Sequence, residues 1–162
     1  SRPDGPRRTP KSHPAWRRSC ALVAGHLYVR PHMGSRLATE APDLAQTLSA
    51  APEHVRYRAA VAAASEMGAR LPEIRAELTG ALESRDEAVA AALADRLDDE
   101  YFDLERRGDE RYLRVFSCAR AAMAVKFAIA GAADDSLYES IIAIDDVGAI
   151  TRIAMEALRG EV

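Results

Sequence analysis

The fold of this chain is decided between residues 84 and 131, which read SRDEAVAAALADRLDDEYFDLERRGDERYLRVFSCARAAMAVKFAIAG. Large apolar residues recur there every three or four positions, the spacing of one face of an α-helix. Gly108 and Gly131 stand where each of two such patterns ends. The stretch therefore predicts two long antiparallel helices, with stripes formed by Val89, Leu93, Leu97, Tyr101 and Leu104, and by Tyr112, Phe116, Ala119, Met123, Phe127 and Ala130.

Shorter helical patterns flank this pair. Pro52 opens a predicted helix over residues 52–69, because proline at the first helical position loses no hydrogen bond. A further helix is predicted over 72–83. Two more are predicted from the apolar spacings of Leu137, Ile141 and Ile144, and of Val147, Ile150, Ile153 and Leu158. Ser84-x-x-Glu87 and Ser136-x-x-Glu139 have the form of capping boxes, so we expect helices to begin at these serines. The sequence predicts an all-α fold, a single compact bundle of about six helices with short loops.

Charge divides the chain into two parts. Residues 1–39 carry a net charge of +7 and five of the eight prolines, whereas residues 40–162 carry −10. We therefore predict a basic, Pro-rich and largely unstructured extension over 1–39 and an acidic helical domain over 40–162. Whether residues 1–32 are native stays open, because Met33 would make a plausible start. An organellar leader or a nucleic-acid-binding arm is the alternative interpretation.

Several functional classes are disfavoured by what the sequence lacks. The longest apolar run, 118–131, is short and contains Arg120 and Lys126, so we expect no membrane partner. The two cysteines, Cys20 and Cys118, lack zinc-site spacing, and a buried free cysteine favours the reducing cytoplasm. Nucleic acid is an unfavourable partner for an acidic domain. Common catalytic and phosphate-binding motifs do not occur, so we predict no cofactor and favour a non-enzymatic role.

The first long helix carries a run of acidic side chains. At about 100° per residue, Asp95, Asp99 and Asp103 point away from the apolar stripe, so we expect them to face solvent. Such a surface favours a basic protein partner. The predicted partner-binding residues are Asp95, Asp98, Asp99, Asp103 and Glu105.

Glu100-x-x-Asp103, in the same run, resembles the ExxE or ExxD carboxylate pairs with which all-α nucleotide pyrophosphohydrolases hold magnesium. The resemblance implies an alternative function, a metal-dependent hydrolase of phosphate-containing substrates with Arg120 as a phosphate clamp. It covers four residues, and the second acidic helix of that family is missing. We therefore predict no metal site.

Arg120 lies inside the apolar stripe of the second long helix. An arginine there must pair with a carboxylate or extend to solvent, because an unpaired buried cation costs several kcal/mol. We expect it to pair with Glu100 on the preceding helix. The alternative is a small anionic ligand between the helices, bound by Arg120, Glu100, Tyr101 and Tyr112.

A second apolar strip covers the opposite side of the same helix and comprises Cys118, Ala122, Val125 and Ile129. A helix that is apolar nearly all round lies at the centre of its bundle or is covered by another subunit. We favour the central position, and the alternative is a homodimer through this strip. Together these patterns predict a helical interaction or regulatory module that presents an acidic helix face.

Overall fold

The computed structural model describes residues 35–160, which form eight α-helices joined by short turns. No strand occurs in this range, and the predicted all-α bundle is confirmed. The helices number eight because two short ones precede the first helix that the sequence predicts. They are α1 (Arg36–Glu40), α2 (Pro42–Ala50), α3 (Glu53–Arg70), α4 (Arg75–Ser84), α5 (Glu87–Arg107), α6 (Tyr112–Ile129), α7 (Ala133–Ile144) and α8 (Val147–Arg159), with a 3₁₀ turn at Pro72–Ile74.

The predicted extension, residues 1–39, lies mostly outside the described residues. Its last residues, from Arg36 onwards, belong to α1, which packs against α7. Leu37 is fully buried in this contact region and joins the hydrophobic core. The domain body therefore begins a few residues earlier than the change in charge indicates.

Helix α6 lies at the centre of the bundle. It packs along α5 on one side and α7 on the other, and it also contacts α3 and α4. The side chains of Cys118, Ala122 and Val125 are at most 4% exposed, and Ile129 packs against the same core. The predicted central position of this helix is confirmed. The chain's own helices cover most of this strip, and homodimerisation itself stays a prediction.

Small side chains occupy most of the buried positions of α6. Ala119, Ala121, Ala122, Ala124 and Ala128 are all fully buried. Neighbouring helices also contribute alanines, among them Ala59 and Ala63 of α3. Methyl groups on facing helices allow interaxial distances at the short end of the usual range, about 8 Å.

The start of α5 differs from the prediction. Ser84 is the last residue of α4, so Ser84-x-x-Glu87 is not a capping box. The N-cap of α5 is Asp86, whose carboxylate accepts hydrogen bonds from the backbone N–H groups of Ala88 and Val89 at 2.9 and 3.3 Å.

The second predicted capping box is also wrong. Ser136 lies inside α7, and its buried hydroxyl donates to the carbonyl oxygen of Ala124 on α6 at 2.8 Å. Glu139 is likewise a buried residue of the helix interior. No helix between residues 35 and 160 is both long and apolar enough to cross a membrane.

Candidate functional site

The outer face of α5 carries the predicted partner-binding carboxylates. The buried stripe of this helix includes Leu93, Leu97, Tyr101 and Leu104, all at most 7% exposed. Because the stripe faces the core, the acidic residues lie on the rim and on the solvent side. Asp95 and Asp99 are exposed, and Asp98, Asp103 and Glu105 are partly buried.

The five carboxylates differ in their partners. Asp98 forms an ion pair with Arg120, and Asp103 pairs with Arg106 and Arg107 of the next helical turn. Within residues 35–160, no ion pair engages the remaining three, Asp95, Asp99 and Glu105. These three carboxylates are therefore available to a partner without breaking an existing pair.

Asp98 belongs to an ion-pair network that crosses four helices. The Nη2 atom of Arg120 lies 2.6 and 2.7 Å from the two carboxylate oxygens of Asp98. Its Nη1 atom lies 3.5 Å from Oε2 of Glu139, and Nη1 of Arg36 donates to Oε1 of the same carboxylate at 3.1 Å. Nη2 of Arg36 then donates to Asp135 at 3.1 Å. The network thus joins α5, α6, α7 and α1.

Glu139 is the central group of this network. Its side chain is only 4% exposed and lies between two guanidinium groups. Burial raises the pKa of Glu139, and the positive charges of Arg120 and Arg36 act in the opposite direction. The arginines are also held by aromatic rings, with the guanidinium of Arg36 4.3 Å from the centroid of Tyr138. The network therefore has a buried centre, Glu139, and outer pairs that are partly exposed.

The predicted ion pair between Arg120 and Glu100 is wrong. Asp98 and Glu139 occupy the two ends of the Arg120 guanidinium, and Glu100 is exposed on the other rim of α5. The ligand-binding role of Arg120, Glu100, Tyr101 and Tyr112 stays a prediction. Its geometry is demanding, because both terminal nitrogens of Arg120 already face carboxylates of the protein.

A cluster of aromatic rings lies beside the network, near the turn between α5 and α6. Tyr101 is buried, and its ring centroid lies 4.9 Å from Phe102, 6.0 Å from Tyr112 and 5.4 Å from Phe116. Phe102 is nevertheless 49% exposed. The aromatic cluster therefore has a buried base and an accessible edge.

The Glu100-x-x-Asp103 pair lacks the surroundings of a metal site. No group of three or more histidine, cysteine or acidic side chains that could hold a metal ion occurs in the described part of the chain. A shallow groove of about 280 Å³ lies elsewhere, between α3 and α4. Glu83 is its only ionisable lining residue, so the groove offers no catalytic pair.

Reasoning from the sequence missed Glu139, Arg36 and Asp135. The misread capping box assigned Glu139 to a helix start, and Arg36 was placed in the extension. A helix begun at residue 133 would have placed Glu139 on the same face as Ser136 and Ala143, both buried. A carboxylate on a buried helix face needs cationic partners, and this requirement is the signal that could have identified the arginines.

Comparisons with protein-family models, with curated protein sequences and with solved structures give no match.

Proposed function

We propose that this domain is a non-enzymatic interaction or regulatory module that binds a basic protein partner through the outer face of α5. The observation that carries the proposal is the set of carboxylates of Asp95, Asp99 and Glu105, which project from one helix without an ion pair among residues 35–160. Clustered charges of one sign attract an oppositely charged partner and accelerate its association.

The state of the reactive side chains also supports an interaction role. Cys118 is buried, and burial raises the pKa of its thiol to about 11, so the reactive thiolate is scarce at neutral pH. Arg120 is engaged by two carboxylates. These groups contribute to packing and to the ion-pair network, and neither lines the groove between α3 and α4.

The test compares two charge-neutralised variants by quantitative co-purification from the source cells. The first variant, Asp95→Asn/Asp99→Asn/Glu105→Gln, removes three charges from the outer face of α5. The matched control removes three exposed carboxylates from other helices, with the substitutions Glu40→Gln, Glu53→Gln and Glu83→Gln.

We expect a protein that co-purifies with the wild type and the control but is lost from the first variant. Its affinity for the purified domain should fall as the salt concentration rises, because salt screens exposed charges. Equal recovery of every protein by the two variants would refute the proposal.

A further inference from the structure

Four large hydrophobic side chains between residues 35 and 160 are at least 37% exposed. Val89 and Val147 lie in the first turns of α5 and α8. The other two, Phe102 at 49% and Leu113 at 47%, lie close to the turn that joins α5 to α6. This second pair is the one that adjoins the acidic face.

Phe102 and Leu113 lie on the same side of the α5–α6 pair. Tyr101 contacts the rings of both Tyr112 and Phe116, so residue 101 lies opposite the segment 112–116. One step along a helix rotates the side chain by about 100°, which turns Phe102 and Leu113 out of the interface. The step from Tyr101 to Phe102 and the step from Tyr112 to Leu113 rotate in opposite directions in space, because α5 and α6 are antiparallel. Both side chains therefore point to the same outer face of the helix pair.

Carboxylates predominate around Phe102, and Arg106, one turn after it, pairs with Asp103. Asp98 and Asp99 lie one turn before Phe102 on α5, Glu105 lies one turn after it, and Asp95 lies two turns before it. Asp98 is held by Arg120, whereas the other three enter no ion pair among residues 35–160. An accessible aromatic ring with a negatively charged rim is complementary to an apolar side chain with a positively charged rim.

We infer that Phe102 and Leu113 form the apolar centre of the docking surface, and that the partner presents a large apolar side chain flanked by lysine or arginine residues. This inference rests on the proposed function and specifies the chemistry of the partner. Aromatic residues near the centre of an interface, enclosed by a polar rim, contribute most of the binding energy in typical complexes. The carboxylates then set the association rate and the salt dependence.

The test is a selection of phage-displayed random peptides on the immobilised full chain, followed by measurement of Kd for the enriched peptides by fluorescence anisotropy. The test variant is Phe102→Ala/Leu113→Ala. The matched control is Val89→Ala, which removes an equally exposed apolar side chain from α5 outside the acidic run. Circular dichroism checks that each variant keeps its helical content.

We expect enriched peptides that combine lysine or arginine with a large apolar residue. The double variant should weaken their binding at least tenfold, and Val89→Ala should change it less than twofold. Peptides that bind the double variant as tightly as the wild type, but lose affinity for the Asp95→Asn/Asp99→Asn/Glu105→Gln variant, would overturn this inference and leave the proposed function intact. Enriched peptides without basic residues, or with affinity unchanged in both variants, would overturn both.

Discussion

Glu139 illustrates how one buried charge organises its surroundings. Removing a carboxylate from water costs several kcal/mol unless cations compensate for it. Two arginines from different helices offset part of this cost, and each of them has a second carboxylate, Asp98 for Arg120 and Asp135 for Arg36. The side chains of the network therefore contribute unequally to the free energy of unfolding, and single substitutions can separate their contributions.

The first prediction concerns Arg120→Met, which keeps an unbranched apolar stem and removes the charged guanidinium. Glu139 would retain only Arg36, so we expect the free energy of unfolding to fall by about 3 kcal/mol. Glu139→Gln should cost less, about 1 kcal/mol, because both arginines keep another carboxylate. Urea denaturation followed by circular dichroism measures both values.

The control for this prediction is Arg152→Met, which removes an exposed pair with Glu156 on α8. Exposed pairs four residues apart contribute about 0.5 kcal/mol or less. If Arg120→Met and Arg152→Met had the same effect, Arg120 would not compensate for the buried charge of Glu139.

The second prediction concerns pH. Burial raises the pKa of Glu139 above its ordinary value of 4.5, so the folded protein holds this proton more tightly than the unfolded chain. The contribution of this group to stability is therefore present below about pH 4.5 and is lost as the pH rises through the folded-state pKa. We expect the free energy of unfolding of the wild type, minus that of Glu139→Gln, to be largest near pH 4 and to decrease towards pH 8.

Urea titrations of both proteins at each pH measure this difference. A difference that increases with pH would mean that the two arginines outweigh burial and lower the pKa of Glu139.

For single residues, the sequence predicts that Arg120 needs a carboxylate partner but does not identify which carboxylate it is. The apolar stripe of α5 has two rims, and Asp98 and Glu100 lie on opposite ones. Which rim faces Arg120 depends on how α4, α6 and α7 are placed around α5. Periodicity along one helix carries no information about that placement.

The helices were predicted well where an apolar pattern is long. The predicted helix over 52–69 is observed as Glu53–Arg70. The last helix, predicted to contain Val147 and Leu158, is observed as Val147–Arg159. Helix ends depend on a few side chains that compete for the same backbone groups. Asp86 is closer than Ser84 to the first backbone N–H groups of α5, which have no partner within the helix. Its carboxylate accepts hydrogen bonds from two of them.

The third prediction tests this assignment. Asp86→Ala should lower the free energy of unfolding by about 1 kcal/mol, because it removes the N-cap of a 21-residue helix. Ser84→Ala should change it by less than about 0.5 kcal/mol, since Ser84 belongs to the end of α4. Chemical denaturation measures the free energy of unfolding of both variants. A larger decrease for Ser84→Ala than for Asp86→Ala would mean that Ser84, not Asp86, caps α5.

Over the whole molecule, the fold class can be predicted from alanine content and helical periodicity. The first two helices, α1 and α2, cannot be predicted in this way. Helix α1 has only five residues, too few to display a period of 3.6. It is held by tertiary contacts, with Leu37 fully buried and Arg36 paired with α7. Contacts between residues about 100 positions apart cannot be read from a local pattern.

The fourth prediction uses Cys118 as a probe of global stability. In a Cys20→Ser variant, Cys118 is the remaining cysteine of the chain. Cys118 is 4% exposed and burial raises the pKa of its thiol to about 11, so a thiol reagent should react only when the bundle opens. We expect almost no labelling under native conditions and one thiol per chain in urea. Rapid labelling of the native protein would indicate that α6 separates locally from its neighbours.

The methyl groups that line α6 also bear on how this sequence can diverge. Nearly every substitution of a buried alanine adds volume to a space that is already filled, and overpacking typically costs about 1–3 kcal/mol. Solvent-facing positions outside the docking surface on α5 and α6 are under no such packing limit. Distant relatives should therefore be recognisable less by shared large residues than by the positions at which they have stayed small.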